Sequence, residues 1–270
     1  MTKRVQLIVD QHVAHVELTN GAKMNALDKT MFDELIEVGI QVKTDADIRA
    51  VVLSGEGGNF CGGLDISLFN NVVQGKSLEI SNDPDVTTLT QRTHGIFNKV
   101  QAVVWQWREL NVPVIAAIEG VALGGGFQIA LGADMRYTAP DSQFSIMEIK
   151  WGIVPDMGGT QLMRHLANED IVRELMYTGR SFGAQEAKNY GFVTRVHETP
   201  LEHAFEVAEN IVRRNPEAIN ACKEILNQAA YTDIQQGMLK ESQSQDRIVG
   251  SPNQIEAAMA MIEKREPEFK

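Results

Sequence analysis

Three glycine-rich stretches carry the clearest chemical signal in this sequence. They are Phe60-Cys61-Gly62-Gly63-Leu64-Asp65, Gly120-Val121-Ala122-Leu123-Gly124-Gly125-Gly126 and Pro155-Asp156-Met157-Gly158-Gly159-Thr160. Alone, any one of them reads as a tight turn. The first two each follow an apolar run of the kind that forms a strand buried on both faces, and the second opens a helix-like segment. Glycine lets backbone approach a ligand closely, and a helix start directs unpaired N–H groups outward. Two such N–H groups from separate loops can converge on one oxygen. That is oxyanion-hole geometry, in which losing one donor costs about 2.7–4 kcal/mol of transition-state stabilisation. The same stretches exclude other chemistries. No G-x-G-x-x-G sits at a strand-to-helix turn. Gly75-Lys76-Ser77 lacks the earlier glycine of a P-loop, and there is no G-x-S-x-G nucleophile elbow.

Other reactive residue types are less promising. His12 and His15 fall on opposite faces of a strand-like run, which argues against a shared metal. His94, His165 and His203 lie in helical patterns and read as surface or packing residues. Trp105 and Trp107 can line an apolar pocket, but core packing is the simpler reading. Cys61 reads as a packing residue and not a nucleophile.

The elements that hold these loops follow an α/β rhythm. Val5, Leu7 and Val9, then Val13 to Leu18, predict two strands, ended by the turn at Asn20-Gly21. A helix is predicted after the Asp28 cap, with Met31, Phe32, Leu35, Ile36 and Ile40 on its apolar face. Ala50 to Leu53 and Val112 to Ile118 read as buried strands. Gly124 to Gly126 opens a helix running to Ala133, and Met135 to Thr138 is a further strand. Asn, Gln, Gly, Ser, Asp and Pro gather over 67–85 and predict a long surface loop. The spacing over 88–110 predicts a helix. From Pro200 onward the pattern is helical only, with Phe205, Ala208, Ile211 and Val212 on one face. Ile219, Cys222, Ile225 and Leu226 form a second face, and Gln254 to Arg265 a last helix. The division is thus an α/β body over 1–199 and a helical region over 200–270.

The chain has 270 residues, 43% hydrophobic and 23% charged, with 36 acidic against 25 basic side chains and a net charge of −11. This is globular composition. The negative balance argues against nucleic acid or an anionic membrane surface as partner. Two scattered cysteines, Cys61 and Cys222, give neither a disulfide framework nor a zinc site. No apolar signal core follows Met1, and no stretch approaches the length needed to span a bilayer, so a cytoplasmic protein is expected.

The motifs and their order resemble those of the crotonase, or enoyl-CoA hydratase/isomerase, family. The matching segments are Lys23-Met24-Asn25-Ala26-Leu27, Phe60-Cys61-Gly62-Gly63-Leu64-Asp65-Ile66 and Ala117 to Gly126. They continue with Phe144 to Gly159 and Glu263-Lys264-Arg265-Glu266-Pro267. The resemblance implies a spiral of strand–strand–helix units with a C-terminal helical trimerisation region, assembled as a homotrimer or dimer of trimers. It implies acyl-CoA substrates and an enolate stabilised at the thioester oxygen. Coenzyme A is then part of the substrate, and no metal or organic cofactor is needed. By motif position the two oxyanion donors fall on Leu64 and Gly125. Lys23, Met24 and Ala26, with Gly62, Gly63, Asp65 and Ile66, fall along the adenine and pantetheine path.

The resemblance also locates the acids. Hydratases of the family carry two glutamates, and here the first position is Gln128 while the second is Glu148. An amide cannot exchange a proton near neutral pH. Asp156 stands where hydratases typically have glycine and isomerase-type relatives have a carboxylate. Glu148 and Asp156 are therefore the expected acid–base pair of an enoyl- or dienoyl-CoA isomerase. One alternative is a hydratase running on Glu148, with Gln128 positioning water. Another is a CoA-binding protein without turnover. Each residue also has a plainer role open to it: Asp156 as a helix N-cap, Glu148 as a surface acid, and Gln128 as a group that hydrogen-bonds a helix end.

Overall fold

The computed structural model describes residues 3–69, 73, 86 and 88–270. Strands β1 (Val5–Asp10) and β2 (Val13–Leu18) form an antiparallel hairpin, with Val5 opposite Leu18. Helix α1 (Lys29–Thr44) starts where the sequence predicts, because the Asp28 carboxylate accepts the Met31 N–H at 2.8 Å. Its buried face is Met31, Phe32, Leu35, Val38 and Val42, whereas Ile40 is exposed. This corrects the expected face. A helix returns to the same side after three or four residues, so Leu35 is followed there by Val38 and Val42 and not by Ile40.

β3 (Ala50–Gly55) continues the sheet in parallel from β2. The predicted 88–110 helix is shorter than its apolar spacing, since α2 covers Lys99–Glu109 only. Asn98 and Gln101 form a reciprocal capping box there, and the residues before it fold as turns closed by a bridge between His94 and Phe97. β4 (Val114–Ile118), β5 (Val121–Leu123), α3 (Gly125–Gly132), β6 (Met135–Thr138) and β7 (Gln143–Ser145) follow. Next come α4 (Gly159–Met163), α5 (Glu169–Thr178), β8 (Ser181–Gly183), α6 (Ala184–Tyr190) and β9 (Arg195–Val196). The expected long loop at 67–85 lies, except for Ser67, Leu68, Phe69 and Val73, outside the described residues.

Successive units feed two sheets. The larger has the order β1-β2-β3-β4-β6-β9, parallel from β2 onward, and the smaller is β5-β7-β8. A bridge between Cys61 and Ala122 adds the first glycine loop to the edge of the smaller sheet. Alternation along the parallel strands explains why their runs are apolar throughout. Val51, Leu53, Ala116 and Ile118 pack in the main core with α1, α2 and α3. Ala50, Val52, Ile115 and Ala117 point the other way, onto Ala204 and Ala208 of α7 (Pro200–Val212). The larger of these side chains, Val51, Val52, Leu53, Ile115 and Ile118, each contribute roughly 1.5–3 kcal/mol by burial.

Three more helices complete the chain: α8 (Pro216–Ala229), α9 (Ile234–Ile248) and α10 (Pro252–Glu263). The predicted apolar face of α8 is not the one it buries, since Cys222 and Leu226 are exposed. Ala221 and Lys223 are buried instead. The Lys223 ammonium donates to the Trp107 and Val112 carbonyls at 3.0 and 2.8 Å and pairs with Asp134 at 2.8 Å. It therefore serves the Trp107 carbonyl, which the end of α2 leaves unpaired, and the Val112 carbonyl just beyond the helix. Among the described residues, no helix is long and apolar enough to cross a membrane.

Candidate active site

The first two glycine loops meet face to face. Leu27 and Leu64 form a parallel bridge in which the Leu27 N–H donates to Gly63 O and the Asp65 N–H donates to Leu27 O, at 2.7 and 3.0 Å. Both neighbours of Leu64 are thus tied to Leu27, so the N–H of Leu64 faces the opposite side. A Cβ on Gly63, where φ is +88°, would lie 2.7 Å from Leu123 O and 3.7 Å from Gly125 N. Only glycine allows that approach. Gly125 is the first residue of α3, so its N–H has no acceptor one turn back in the helix. Gly124, at φ +50°, makes the turn into α3 and is held by a 2.9 Å bond from its N–H to Ser145 O. Leu64 and Gly125 both line one cavity of about 410 Å³.

Gln128, Glu148 and Asp156 line the same cavity. The structure therefore brings together the two residues expected as oxyanion donors, both expected acids and the amide at the first-glutamate position. Glu148 opens a short helical turn, Glu148–Trp151, after β7, and is only 7% exposed. It is not the solvated surface acid of the plainer reading. Its Oε1 accepts from Gln128 Nε2 at 2.6 Å, while its Oε2 is buried without a hydrogen-bond partner among the described residues. Gln128 Oε1 accepts the N–H groups of Met157 and Gly159 at 3.2 and 3.0 Å. The Gly159 N–H opens α4, so Gln128 does hydrogen-bond a helix start, as one sequence reading held. Both lone pairs of its oxygen are taken, which leaves it unable to accept from a water.

Asp156 is not a helix cap. The residue preceding α4 is Gly158, in the left-handed region, and no side chain caps it. The half-buried Asp156 carboxyl faces the cavity instead. Burial raises its pKa, opposed in part by its own N–H. Burial likewise raises that of Glu148; its own N–H and the Gln128 amide pull it back part of the way, and the facing Asp156 adds a further push upward.

The rest of the wall is apolar, and sequence reasoning did not assign these residues to a cavity: Phe32, Leu89, Val100, Ile153, Val154 and Met157. The Ile153-Val154 pair before Pro155 was the available signal, an apolar run leading into a glycine turn. Trp105 and Trp107 are absent from the cavity wall. Trp107 is fully buried in the core, and Trp105 stacks on Phe97 with ring centroids 5.5 Å apart. Cys61 is buried, with its thiol donating to Asn25 O, and burial pushes its pKa up to about 12. It is inert at neutral pH.

The remaining residues expected at the coenzyme path form a rim beside Leu64 and do not line the cavity. Gly62 N–H donates to Met24 O at 2.7 Å, which sets the two segments side by side. Met24 and Ile66 are exposed, and Lys23 Nζ reaches the Asp65 carboxylate at 2.8 Å. Burial alone would raise the Asp65 pKa. The Lys23 ammonium and the Ser67 N–H outweigh it and hold it at about 2.

Comparison with known proteins agrees with this architecture. The sequence profile of the enoyl-CoA hydratase/isomerase family matches residues 9–270. Carnitinyl-CoA dehydratase of Escherichia coli K12 is 34% identical, over 92% of this chain and 91% of its own. The mitochondrial Delta(3,5)-Delta(2,4)-dienoyl-CoA isomerase of Dictyostelium discoideum is 29% identical, over 96% of this chain and 87% of its own. The crystal structure of an enoyl-CoA hydratase from Bacillus anthracis superposes with a TM-score of 0.87 at 30% identity, covering 99% of both chains.

Proposed function

The chain belongs to the enoyl-CoA hydratase/isomerase family of enzymes, and from that premise we propose that it shifts a double bond along the acyl chain of an enoyl- or dienoyl-CoA thioester. The observation that carries this reading is the pair of cavity acids, Glu148 and Asp156, both with raised pKa. Two like-charged groups in an apolar cavity favour holding one proton between them.

The reaction then runs as a proton relay. The thioester oxygen accepts from the N–H groups of Leu64 and Gly125, which acidifies the carbon next to the thioester. Gly124 lies beside Glu148, within 3.6 Å of Oε1 measured from a Cβ built on the glycine, so Glu148 is assigned to that near carbon. Glu148, ionised, removes its proton. The C–H electron pair forms a double bond to the thioester carbon, whose C=O pair moves onto the oxygen as an enolate. Asp156, protonated, gives its proton to the far carbon, where the pair of the original double bond becomes the new C–H bond. The oxygen's pair restores C=O, and the enolate double bond shifts to its new place along the chain. One proton leaves the substrate and one enters it. The two acids then exchange a proton through water to restore the starting state. Lys23, Met24, Ala26, Gly62, Gly63, Asp65 and Ile66 form the rim assigned to the coenzyme A moiety. Exposed Ile234, Met238, Leu239 and Ile262 on α9 and α10 support assembly with further copies of the chain, as a trimer or dimer of trimers.

A second reading, water addition or removal using Glu148, is favoured by the similarity to carnitinyl-CoA dehydratase. Mass spectrometry of 2-enoyl-, 3-enoyl- and 3,5-dienoyl-CoA incubated with the enzyme in heavy water separates the two. Isomer conversion that Asp156→Asn abolishes is the expected result. Addition of one water to the 2-enoyl thioester, undisturbed by Asp156→Asn, would replace isomerisation with hydration.

A further inference from the structure

We propose that Gln128 is the positioning residue of this site, making Glu148 a proton carrier through one oxygen only and fixing the turn that bears Asp156. The proposal rests on the proton-relay reading above. It starts from a polarity that the backbone imposes. Met157 and Gly159 both present N–H groups to the same Gln128 atom, at 3.2 and 3.0 Å. Backbone N–H groups only donate, so that atom is the amide oxygen. The amide nitrogen must then face Glu148, 2.6 Å from Oε1. An N–H aimed at Oε1 makes it a standing acceptor, whichever protonation state the carboxyl holds. The titrating proton therefore resides on Oε2, the oxygen that is buried with no partner among the described residues.

The same amide registers the second acid. Asp156 immediately precedes Met157, and the Met157 and Gly159 N–H groups are the two ends of Gln128's grip on that turn. Space at the grip is closed: a Cβ on Gly159 would come within 2.7 Å of Gln128 Oε1 and Cγ. Gln128 is fully buried on α3, three residues beyond Gly125, whose N–H is assigned to the thioester oxygen. One uncharged side chain thus sets the spacing between the oxyanion donor and both proton-transfer groups. A carboxylate at 128 would present an oxygen to Glu148 Oε1 where the native protein presents an N–H. A hydrocarbon would present nothing to either side.

The test compares native enzyme with Gln128→Leu and Gln128→Glu on 3-enoyl- and 3,5-dienoyl-CoA across the pH range in which all three are folded. The charged group that bears on Glu148 from the facing turn is Asp156, which is common to all three proteins. Gln128→Leu is expected to lower kcat by about 10²-fold, the scale of a small misplacement of reacting groups, with KM nearly unchanged. Gln128→Glu keeps an acceptor for Met157 and Gly159, so it holds the turn even if the leucine variant loses it. Its new carboxyl can donate to Glu148 only while protonated. Its kcat should therefore approach native at low pH and fall along a limb that neither native nor Gln128→Leu shows. A second readout is independent of turnover: carboxyl titration by NMR of glutamate-labelled protein, with Glu148→Gln for assignment. The Glu148 pKa should rise in Gln128→Leu, because an N–H donor to the charged form is gone. Native-like kcat in both variants, or equal losses without pH divergence and with no titration shift, would overturn the proposal. A native enzyme inert on every thioester, with the titration shift intact, would place the failure in the isomerase reading and not in the Gln128–Glu148 link.

Discussion

Asp65 and Glu148 are buried to nearly the same degree, 6% and 7% exposed, yet their surroundings drive them in opposite directions. Asp65, on the rim, has the Lys23 ammonium at 2.8 Å and a backbone N–H, and is held at about 2. Glu148, in the cavity, has its own N–H and the Gln128 amide N–H, a second carboxyl facing it and no cation partner among the described residues, and its pKa rises. Burial is the leading influence on both, so burial alone does not separate a structural acid from a chemical one. The partner does. A carboxylate paired with lysine is committed to one charge state, and one paired only with an amide can change state during a reaction.

The largest effects should come from removing the ability to change state. Glu148→Gln and Asp156→Asn are each expected to lower isomerisation by about 10²–10⁴-fold, read from kcat on 3-enoyl-CoA, with the fold intact. Full activity in Asp156→Asn would break the comparison by moving Asp156 to the structural side. A smaller change is expected at the rim. Lys23→Met should raise KM for acyl-CoA about tenfold, or ~1.4 kcal/mol, while kcat stays within a small factor. An equal fall in kcat would mean that the rim also acts in the transition state.

The smallest effects are in stability, and their signs differ between the two regions. The native protein binds protons at Glu148 and Asp156 more tightly than the unfolded chain does. Unfolding free energy should therefore fall as pH rises from the ordinary carboxylate values, 4.5 and 3.8, towards their raised native ones. Glu148→Gln should flatten that fall and raise stability at neutral pH by about 1 kcal/mol, measured by urea unfolding. Asp65 has the opposite sign. Its contribution is fully present above 3.8 and is lost as pH falls towards about 2, a loss that Asp65→Asn should remove.

Much of the fold was legible in the sequence where local chemistry decides it. The Asp28 cap, the two-faced apolar runs in β3 and β4, and the strand at Met135–Thr138 all follow from residue type and spacing. The errors arose where two local signals overlapped. Apolar spacing carried the helix prediction past Asn98, where a capping box starts it. On α8 the apolar residues obscured Lys223, a lysine buried only because Asp134 and two carbonyls, remote in sequence, receive it. The glycine loops stood out by residue type and by their place after buried strands, whereas the acids were found through the resemblance. The environment of the acids was not, because the Gln128 amide that bridges the Glu148 and Asp156 turns comes from a separate helix, and that bridge is tertiary. Spacing alone favoured Asp156 as a cap, and the position of Gly158 decides against it.

Gly158 also presses against Trp105, so closely that a Cβ there would fall 2.1 Å from the indole Nε1. The turn that carries Asp156 therefore has its own optical reporter. Of the three tryptophans, Trp107 is sealed in the core and Trp151, on the Glu148 turn, is 45% exposed and stacks on Phe69, which leaves Trp105 as the fluorophore packed against the Asp156 turn. In a Trp151→Phe background, a change in emission on adding a non-isomerisable saturated acyl-CoA would follow the turn in real time, and separate binding from turnover without any product being formed.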